Sequence, residues 1–364
     1  MTRQAATPRS VLRAFLWALV LVFSMSAAGL GAAVMLFGRP AEAQRAVDQP
    51  RNTAGNPSAE EWRLIRHGAQ GDVSLPNKMA GVLIQPGQSF REWHNGPLTI
   101  WGAVVELGVL ALLAIFFAVR GRIRIAHGRS GDVVLRFNEV ERFAHWLTAG
   151  SFVVLGLSGL NLLYGRYVIR PVIGDYLFAR LAEIGKVLHN YLAFAFMLGI
   201  VLMFILWVGQ NLPTRADWAW LKRGGGLFTT GPSEPPAWKF NAGQKILFWL
   251  VILGGISVSM SGLALLFPFT FHWFSSTFAV LNLLGFHLPT GLTPLAETQL
   301  SQLWHAAVGL IFIALILAHI YLGTIGMEGA FDAMSSGNVD ANWAKEHHPL
   351  WARELERRRA GSDD

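Results

Sequence analysis

Five long apolar stretches alternate with polar links along the chain. They cover residues 98–119, 144–163, 188–208, 246–267 and 303–325. Each has about 20 residues, and an α-helix of that length spans the ~30 Å hydrocarbon core of a bilayer. A single helix satisfies all its backbone hydrogen bonds internally, as lipid requires. The pattern therefore predicts an all-α, multi-spanning integral membrane protein.

The N-terminal part of the chain differs from the rest. Residues 1–43 place three arginines before an apolar run and end in an Ala-x-Ala sequence, which is typical of a signal peptide. The run is also long enough to remain as an uncleaved membrane anchor. We expect residues 44–97 to form a polar, exported (periplasmic) segment and residues 98–119 to be an extra transmembrane helix that precedes the others.

The basic residues indicate the orientation in the membrane. The formal net charge is +7, but the basic residues flank apolar runs, so they indicate membrane topology and not nucleic-acid binding. They concentrate in the links 120–142 and 215–245 and in the tail 331–364, whereas the link 268–302 has no Lys or Arg. The positive-inside rule places the basic links and the C-terminus in the cytoplasm. We expect the bundle to lie in the inner membrane of a bacterium.

The chain contains no cysteine. Disulfides, thiolate-bound iron–sulfur clusters and thioether-attached haem are therefore excluded for this chain. A metal ion or haem would need His, Met or oxygen ligands.

Four of the eleven histidines lie inside or at the edge of predicted spans. His145 and His319 lie at the inner ends of their spans, and His189 and His305 at the outer ends. Because His305 and His319 are about four turns apart, about 21 Å along one helix, the histidines form two pairs at two depths. Two haems, each held by two imidazoles, would need this arrangement. A non-haem metal, a proton relay and a purely structural role are the alternatives.

Other histidines are expected at the surface. The adjacent pair His347 and His348 in the polar tail is interpreted as a surface feature or a subunit contact.

From about Val134 onward the chain resembles the cytochrome b (gamma) subunit of respiratory formate dehydrogenases. The matching stretches are ERFAHW at 141–146, VLHN at 187–190, FNAGQK at 240–245, LWHAAVG at 303–309, AHIYLG at 318–323 and WAKEHHP at 343–349. The family has a four-helix bundle with two b haems, which implies such a bundle at residues 134–330 and a cytoplasmic tail at 331–364. By position, His189 and His305 would bind the outer haem, and His145 and His319 the inner one.

The resemblance also implies a quinone site. Asn241, Gly243 and Gln244 match the loop that lines the quinone pocket beside the inner haem, together with His319. Judged by its residues alone, this loop could equally be a helix cap.

The resemblance further implies partners. The chain has no motif for collecting electrons from a fuel, so an iron–sulfur (beta) subunit would deliver them from a molybdenum or tungsten catalytic (alpha) subunit that oxidises formate. Quinone would be reduced on the cytoplasmic side. The open alternatives are the equivalent subunit of a hydrogenase or thiosulfate reductase, or, in a different class, a membrane transporter with a histidine relay.

Overall fold

The computed structural model of the protein describes residues 63, 66–67, 88–226 and 235–360. The predicted signal segment 1–43 lies outside the described residues. Five of the described helices are long and apolar enough to cross a membrane: Ser89–Arg120, Glu139–Val168, Arg170–Gln210, Ala242–Leu266 and Pro294–Gly326. Each overlaps one of the five predicted spans, and the prediction of an all-α, multi-spanning membrane protein is confirmed.

The elements follow one another in a simple order. The helices are α1 Gln88–Trp93, α2 Thr99–Arg120, α3 Glu139–Val168, α4 Arg170–Trp207, α5 Arg215–Lys222, α6 Ala242–Leu266, α7 Trp273–Asn282, α8 Pro294–Tyr321, α9 Asp332–Ser335, α10 Ala341–His347 and α11 Pro349–Ala360. Two short strands, β1 Val133–Leu135 and β2 Asn338–Asp340, pair antiparallel. A π-helical turn, His94–Leu98, joins α1 to α2, and another, Leu322–Gly326, extends α8.

Helices α3, α4, α6 and α8 form the bundle. α3 packs along α4, α8 packs along α6, and α4 also contacts α6, whereas contacts between α3 and α8 are few. The close approach of α3 and α4 depends on Gly199, because a Cβ atom there would lie 3.1 Å from the Cα atom of Thr148. Small residues at such crossings let membrane helices pack backbone to backbone.

The helices α3 and α4 extend beyond the apolar spans. The link between the second and third spans is helical except at a turn residue, Ile169, and at Gly174, whose φ of 79° breaks the helix. Arg170 and Asp175 form an ion pair of 2.7 Å across this break. The apolar stretches thus marked the membrane-crossing parts of longer helices.

The basic links and the tail lie on one side of the bundle. β1 lies in the link before α3 and pairs with β2 of the tail, with Val134 opposite Val339. The N–H group of Leu350 donates to the carbonyl oxygen of Ala237, which connects the tail to the link before α6. Buried aromatic side chains, among them Phe137, Phe240 and Trp343, form a core on this side. We call this side of the bundle, which carries the links before α3 and α6 and the tail, the basic side.

The extra helix α2 packs on α8 and contacts α3. A Cβ atom at Gly102 would lie 2.5 Å from a methyl group of Leu310. The Tyr164 hydroxyl of α3 donates to the carbonyl oxygen of Thr99 at 2.9 Å. Glu106 is buried, and within the described part of the chain neither carboxyl oxygen has a hydrogen-bond partner. The helix is thus part of the bundle and not a separate anchor.

Candidate functional site

The four span histidines meet in two pairs. The ring centres of His145 on α3 and His319 on α8 are 6.3 Å apart, with the rings inclined at 61°. The ring centres of His189 on α4 and His305 on α8 are 6.0 Å apart, inclined at 64°. Because α8 contributes a histidine to each pair, the spacing of His305 and His319 along it sets the distance between the two pairs.

The ring separations leave space for one metal ion in each pair. A metal–imidazole bond is about 2 Å long, and the coordinating nitrogen lies about 1 Å from its ring centre, so two imidazoles on opposite sides of one ion have centres about 6 Å apart. Both pairs match this value. Among the described residues, no group of three or more His, Cys, Asp or Glu side chains could hold a metal ion. A ring separation of this size would suit an ion that takes two ligands from the pair and its remaining ligands from another molecule, as in haem.

In the pair of His189 and His305, the outer pair, each imidazole contacts a serine hydroxyl through Nδ1. The Nδ1 atom of His189 lies 2.8 Å from Oγ of Ser158, and that of His305 lies 3.1 Å from Oγ of Ser261. Each hydroxyl donates to a backbone carbonyl oxygen of the preceding turn. For Ser158 it is that of Val154, and for Ser261 that of Val258. The Nδ1 atom of His305 also lies 3.0 Å from the carbonyl oxygen of Val258, and that of His189 also bonds to the backbone of Leu155. Because carbonyl oxygens can only accept, Nδ1 carries the proton, which leaves Nε2 of both imidazoles with a lone pair for a metal.

Two glycines make room for the outer pair. A Cβ atom at Gly262 would lie 3.2 Å from Cε1 of His305, and one at Gly159 would lie 3.7 Å from Cε1 of His189. A Cβ atom at the first position would require the His305 ring to shift by a few tenths of an ångström, whereas one at the second would be in van der Waals contact. Gly262 therefore fixes how close α6 comes to the His305 ring.

The inner pair has a different environment. The Nδ1 atom of His145 is buried and has no hydrogen-bond partner among the described residues. The ring lies edge-on to Trp146, 5.2 Å between centres, and Trp146 donates from Nε1 to the carbonyl oxygen of Met334. Trp146 therefore connects the inner pair to the tail on the basic side.

The predicted quinone loop is the N-terminal cap of α6. The Asn241 side chain accepts from the N–H of Gln244 at 2.9 Å, and the Gln244 side chain accepts from the N–H of Asn241 at 3.1 Å. This is a capping box. Because both amide oxygens serve the cap, both amide nitrogens remain available as donors to a ligand.

Gly243 has a packing role in this loop. A Cβ atom there would lie 3.0 Å from the Trp220 ring of α5. Lys245, the next basic residue, is buried and bonds to Asp217 of α5 at 2.8 Å. The loop is thus seated on α5, and its three predicted quinone residues also have structural roles. Ligand binding there stays a prediction.

The sequence interpretation missed Arg136 and was wrong about His348. Arg136 belongs to the basic link 120–142, whose charges indicate only the topology, but it is buried, and burial lowers its pKa to about 9, while Glu141 acts to raise it. His348 is fully buried and not at the surface, and burial, followed by the charge of Arg136, lowers its pKa well below the usual value. The signal that could have located both is the aromatic sequence around them: Phe137, Trp343 and Trp351.

Comparison with known proteins gives consistent relatives. The family model described as prokaryotic cytochrome b561 matches residues 136–337. The nitrate-inducible formate dehydrogenase cytochrome b556(Fdn) subunit of Escherichia coli (strain K12) is 26% identical over 230 residues, 63% of this chain and 94% of the relative. The formate dehydrogenase cytochrome b556(fdo) subunit of the same organism is 27% identical over 225 residues, 62% and 94%. The formate dehydrogenase cytochrome b556 subunit of Haemophilus influenzae is 23% identical over 226 residues, 61% and 83%.

Proposed function

Because this chain belongs to the prokaryotic cytochrome b561 family, we propose that it is the membrane subunit of a formate dehydrogenase complex and that it binds two b haems. Electrons would enter at the outer histidine pair and leave to quinone near the inner one. The formate-oxidising site would be on another chain. The relatives that are named as formate dehydrogenase subunits support the choice of fuel.

The observation that carries this proposal is the separation of the two histidine pairs. Ring centres at 6.3 and 6.0 Å suit two imidazoles that share one iron. His145 and His319 would hold the inner haem, and His189 and His305 the outer one. A haem iron, when bound, takes up and releases one electron at a potential that its ligands and their hydrogen bonds determine.

Two serine side chains orient the imidazoles of the outer pair for binding a metal. Ser158 and Ser261 hold the imidazoles with Nδ1 protonated and Nε2 free. Hydrogen bonds of this kind fix the orientation of the ring and make the coordinating nitrogen more basic. The serines would therefore favour the oxidised state of the iron.

The basic side would face the cytoplasm. Its links and tail contain most of the basic residues in the bundle region, as the positive-inside rule requires. Asn241 and Gln244 begin α6 on this side, where their free amide nitrogens can donate to the carbonyl oxygens of a quinone. Protons for quinone reduction would then come from the cytoplasm.

An iron–sulfur (beta) subunit would contact the outer side, and a molybdenum or tungsten catalytic (alpha) subunit would bind to it. This chain has no cysteine and so needs such a partner as its electron donor. If the complex is a formate dehydrogenase, formate should reduce the haems of the purified complex. Reduction by hydrogen alone would instead indicate a hydrogenase.

A haem titration tests the proposal. The wild-type chain, purified in detergent, should give a b-type reduced-minus-oxidised spectrum and two haems per chain by the pyridine haemochrome assay. His305→Ala should retain about one haem, because the inner pair stays intact. His272→Ala, which changes an exposed histidine outside both pairs, is the matched control and should retain two. Two haems in His305→Ala would refute the assignment, and a colourless wild-type protein would favour a proton relay.

A further inference from the structure

Arg136 connects three segments of the basic side. It lies directly after β1 and is buried. Its Nη2 atom donates to the carbonyl oxygen of Lys239 at 2.7 Å and to Oε1 of Gln244 at 3.3 Å, both in the loop that precedes and caps α6. The same nitrogen lies 3.0 Å from Nε2 of His348 in the tail, so its two hydrogens are shared among three acceptors. One side chain thus joins the start of α3, the α6 cap and the tail.

The tautomer of His348 is determined by its partners. Its Nδ1 atom lies 2.6 Å from the carbonyl oxygen of Trp238, which can only accept, so Nδ1 carries the proton. Nε2 is then a lone-pair acceptor that faces the Arg136 donor. The imidazole is therefore neutral and connects Arg136 to the backbone of the loop at Trp238, three residues before Asn241, the first residue of the α6 cap.

Aromatic rings surround the guanidinium. Its carbon lies 4.8 Å from the ring centre of Trp343, 5.2 Å from that of Phe137 and 5.9 Å from that of Trp351. A buried cation over aromatic faces is stabilised by their quadrupoles, and its planar shape restricts its orientation. The acceptors of Arg136 are neutral, so its hydrogen bonds serve to orient these groups.

The consequence lies at Gln244. Its Oε1 atom accepts from the N–H of Asn241 and from Arg136. The two donors together favour the amide orientation in which the oxygen faces Arg136 and Nε2 points the other way. Without Arg136 the cap bond alone would hold the amide.

We propose that Arg136, held by His348, is the positioning residue of the quinone site, because it orients the Gln244 amide and fixes the tail against the α6 cap. This inference rests on the proposed function of the Asn241–Gln244 loop. Arg136 does not itself touch the quinone. Its loss should weaken quinone binding and leave the haems in place.

The test is the reoxidation of the dithionite-reduced full chain by decyl-ubiquinone under anaerobic conditions. Saturation of the rate gives a maximal rate and the quinone concentration for half of it. Arg136→Gln should raise the half-saturating concentration about tenfold or more, with two haems per chain and an unchanged spectrum. Arg136→Lys, which keeps a donor and a charge, should recover part of the affinity. His348→Gln should raise the concentration in the same direction.

Arg129→Gln is the matched control. Arg129 lies in the same link and also ties it to the tail, through Asp332 at 3.0 Å, but it is half exposed. It should lower the melting temperature slightly and leave the quinone dependence unchanged. A normal half-saturating concentration in Arg136→Gln, or an equal rise in Arg129→Gln, would overturn the positioning role. If the wild-type reoxidation does not saturate with quinone, the proposed function fails, and this inference fails with it.

Discussion

The hydroxyl of Ser158 and the imidazole of His189 are joined by a hydrogen bond of 2.8 Å between Oγ and Nδ1. The hydroxyl is one turn beyond Val154 on α3 and donates to the carbonyl oxygen of that residue. α3 thereby fixes the ring of a histidine on α4. Ser261 on α6 repeats the arrangement for His305 on α8. The outer pair is therefore oriented by two helices that do not carry its histidines.

Ser158→Ala should loosen the outer haem. The change leaves His189 in place and keeps the backbone partner Leu155, but removes the Ser158 acceptor of its Nδ1–H. Loss of such a hydrogen bond lowers metal affinity by about 10- to 100-fold, and the remaining backbone partner places the expected loss at the lower end. The potential of the outer haem should rise, because a less basic imidazole stabilises the oxidised iron less. Redox titration and the haem content of the purified protein measure both effects.

Ser151→Ala is the control for that change. Ser151 is also buried on α3, and its hydroxyl also bonds to carbonyl oxygens of the preceding turn, those of Leu147 and Thr148. Among the described residues, the Ser151 hydroxyl has no hydrogen bond to a histidine of either pair. The prediction would be wrong if both serine variants behave alike.

Gly262→Val should expel the outer haem without removing a ligand. A Cβ atom at this position would lie 3.2 Å from the His305 ring, so a branched side chain must displace the ring or the helix. Gly159→Ala is the control, because its Cβ would be at an ordinary 3.7 Å from the His189 ring. We expect about one haem per chain in the first variant and two in the second. Full haem content in Gly262→Val would show that His305 can move freely.

The sequence was sufficient for the fold class and for the pairing of the four histidines, but not for their surroundings. Apolar length alone predicts the five spans, because lipid requires helices of a minimum length. The depth of His145, His189, His305 and His319 follows from the same count. In contrast, the serine partners depend on which faces of two helices meet, and this has no local signature.

Burial of the tail was also not predictable from its own sequence. Its polar composition suggested a surface, but strand pairing between Val134 and Val339 carries it back onto the bundle. Burial of His348 then follows from contacts between segments that are more than 100 residues apart in sequence, Arg136 and Trp238. Composition describes the residues of one segment and not what covers them.

Glu141→Gln should destabilise the basic side. Glu141 is buried and accepts from Lys239 at 2.7 Å and from Trp207 at 3.0 Å. Removing one partner of a buried ion pair leaves the other charge uncompensated, which costs about 3–5 kcal/mol; the partial exposure of Lys239 places the expected loss at the lower end. Thermal unfolding in detergent measures it.

The exposed pair of Arg170 and Asp175 provides the comparison. Both side chains are more than half exposed, and solvent screens such pairs strongly. Asp175→Asn should therefore leave the melting temperature nearly unchanged. A further variant, Lys239→Met combined with Glu141→Gln, should recover part of the lost stability, because no buried charge is then left without a partner. Equal melting temperatures for Glu141→Gln and Asp175→Asn would contradict the proposed burial effect.

Acidification should loosen the tail through its two histidines. Burial lowers the pKa of His347 to about 4, with Glu346 acting to raise it and Arg136 to lower it, and the pKa of His348 is lowered well below 6.5. In the unfolded chain both would titrate near 6.5. Between these values the unfolded state binds more protons, so stability is complete above about pH 6.5 and falls as the pH decreases. For His347 alone the loss at pH 5 is about 2 kcal/mol.

The melting temperature in detergent should therefore fall between pH 7 and pH 5. His347→Gln should flatten this decrease, since it removes one of the two groups that must stay neutral. His272→Gln, at an exposed position, should not change the slope. The Arg136→Lys variant should also keep most of the slope, because burial is the largest cause of both shifts. A melting temperature that rises on acidification would mean that the tail histidines are charged in the folded protein, and the neutral hydrogen bond between Arg136 and His348 would then be wrong.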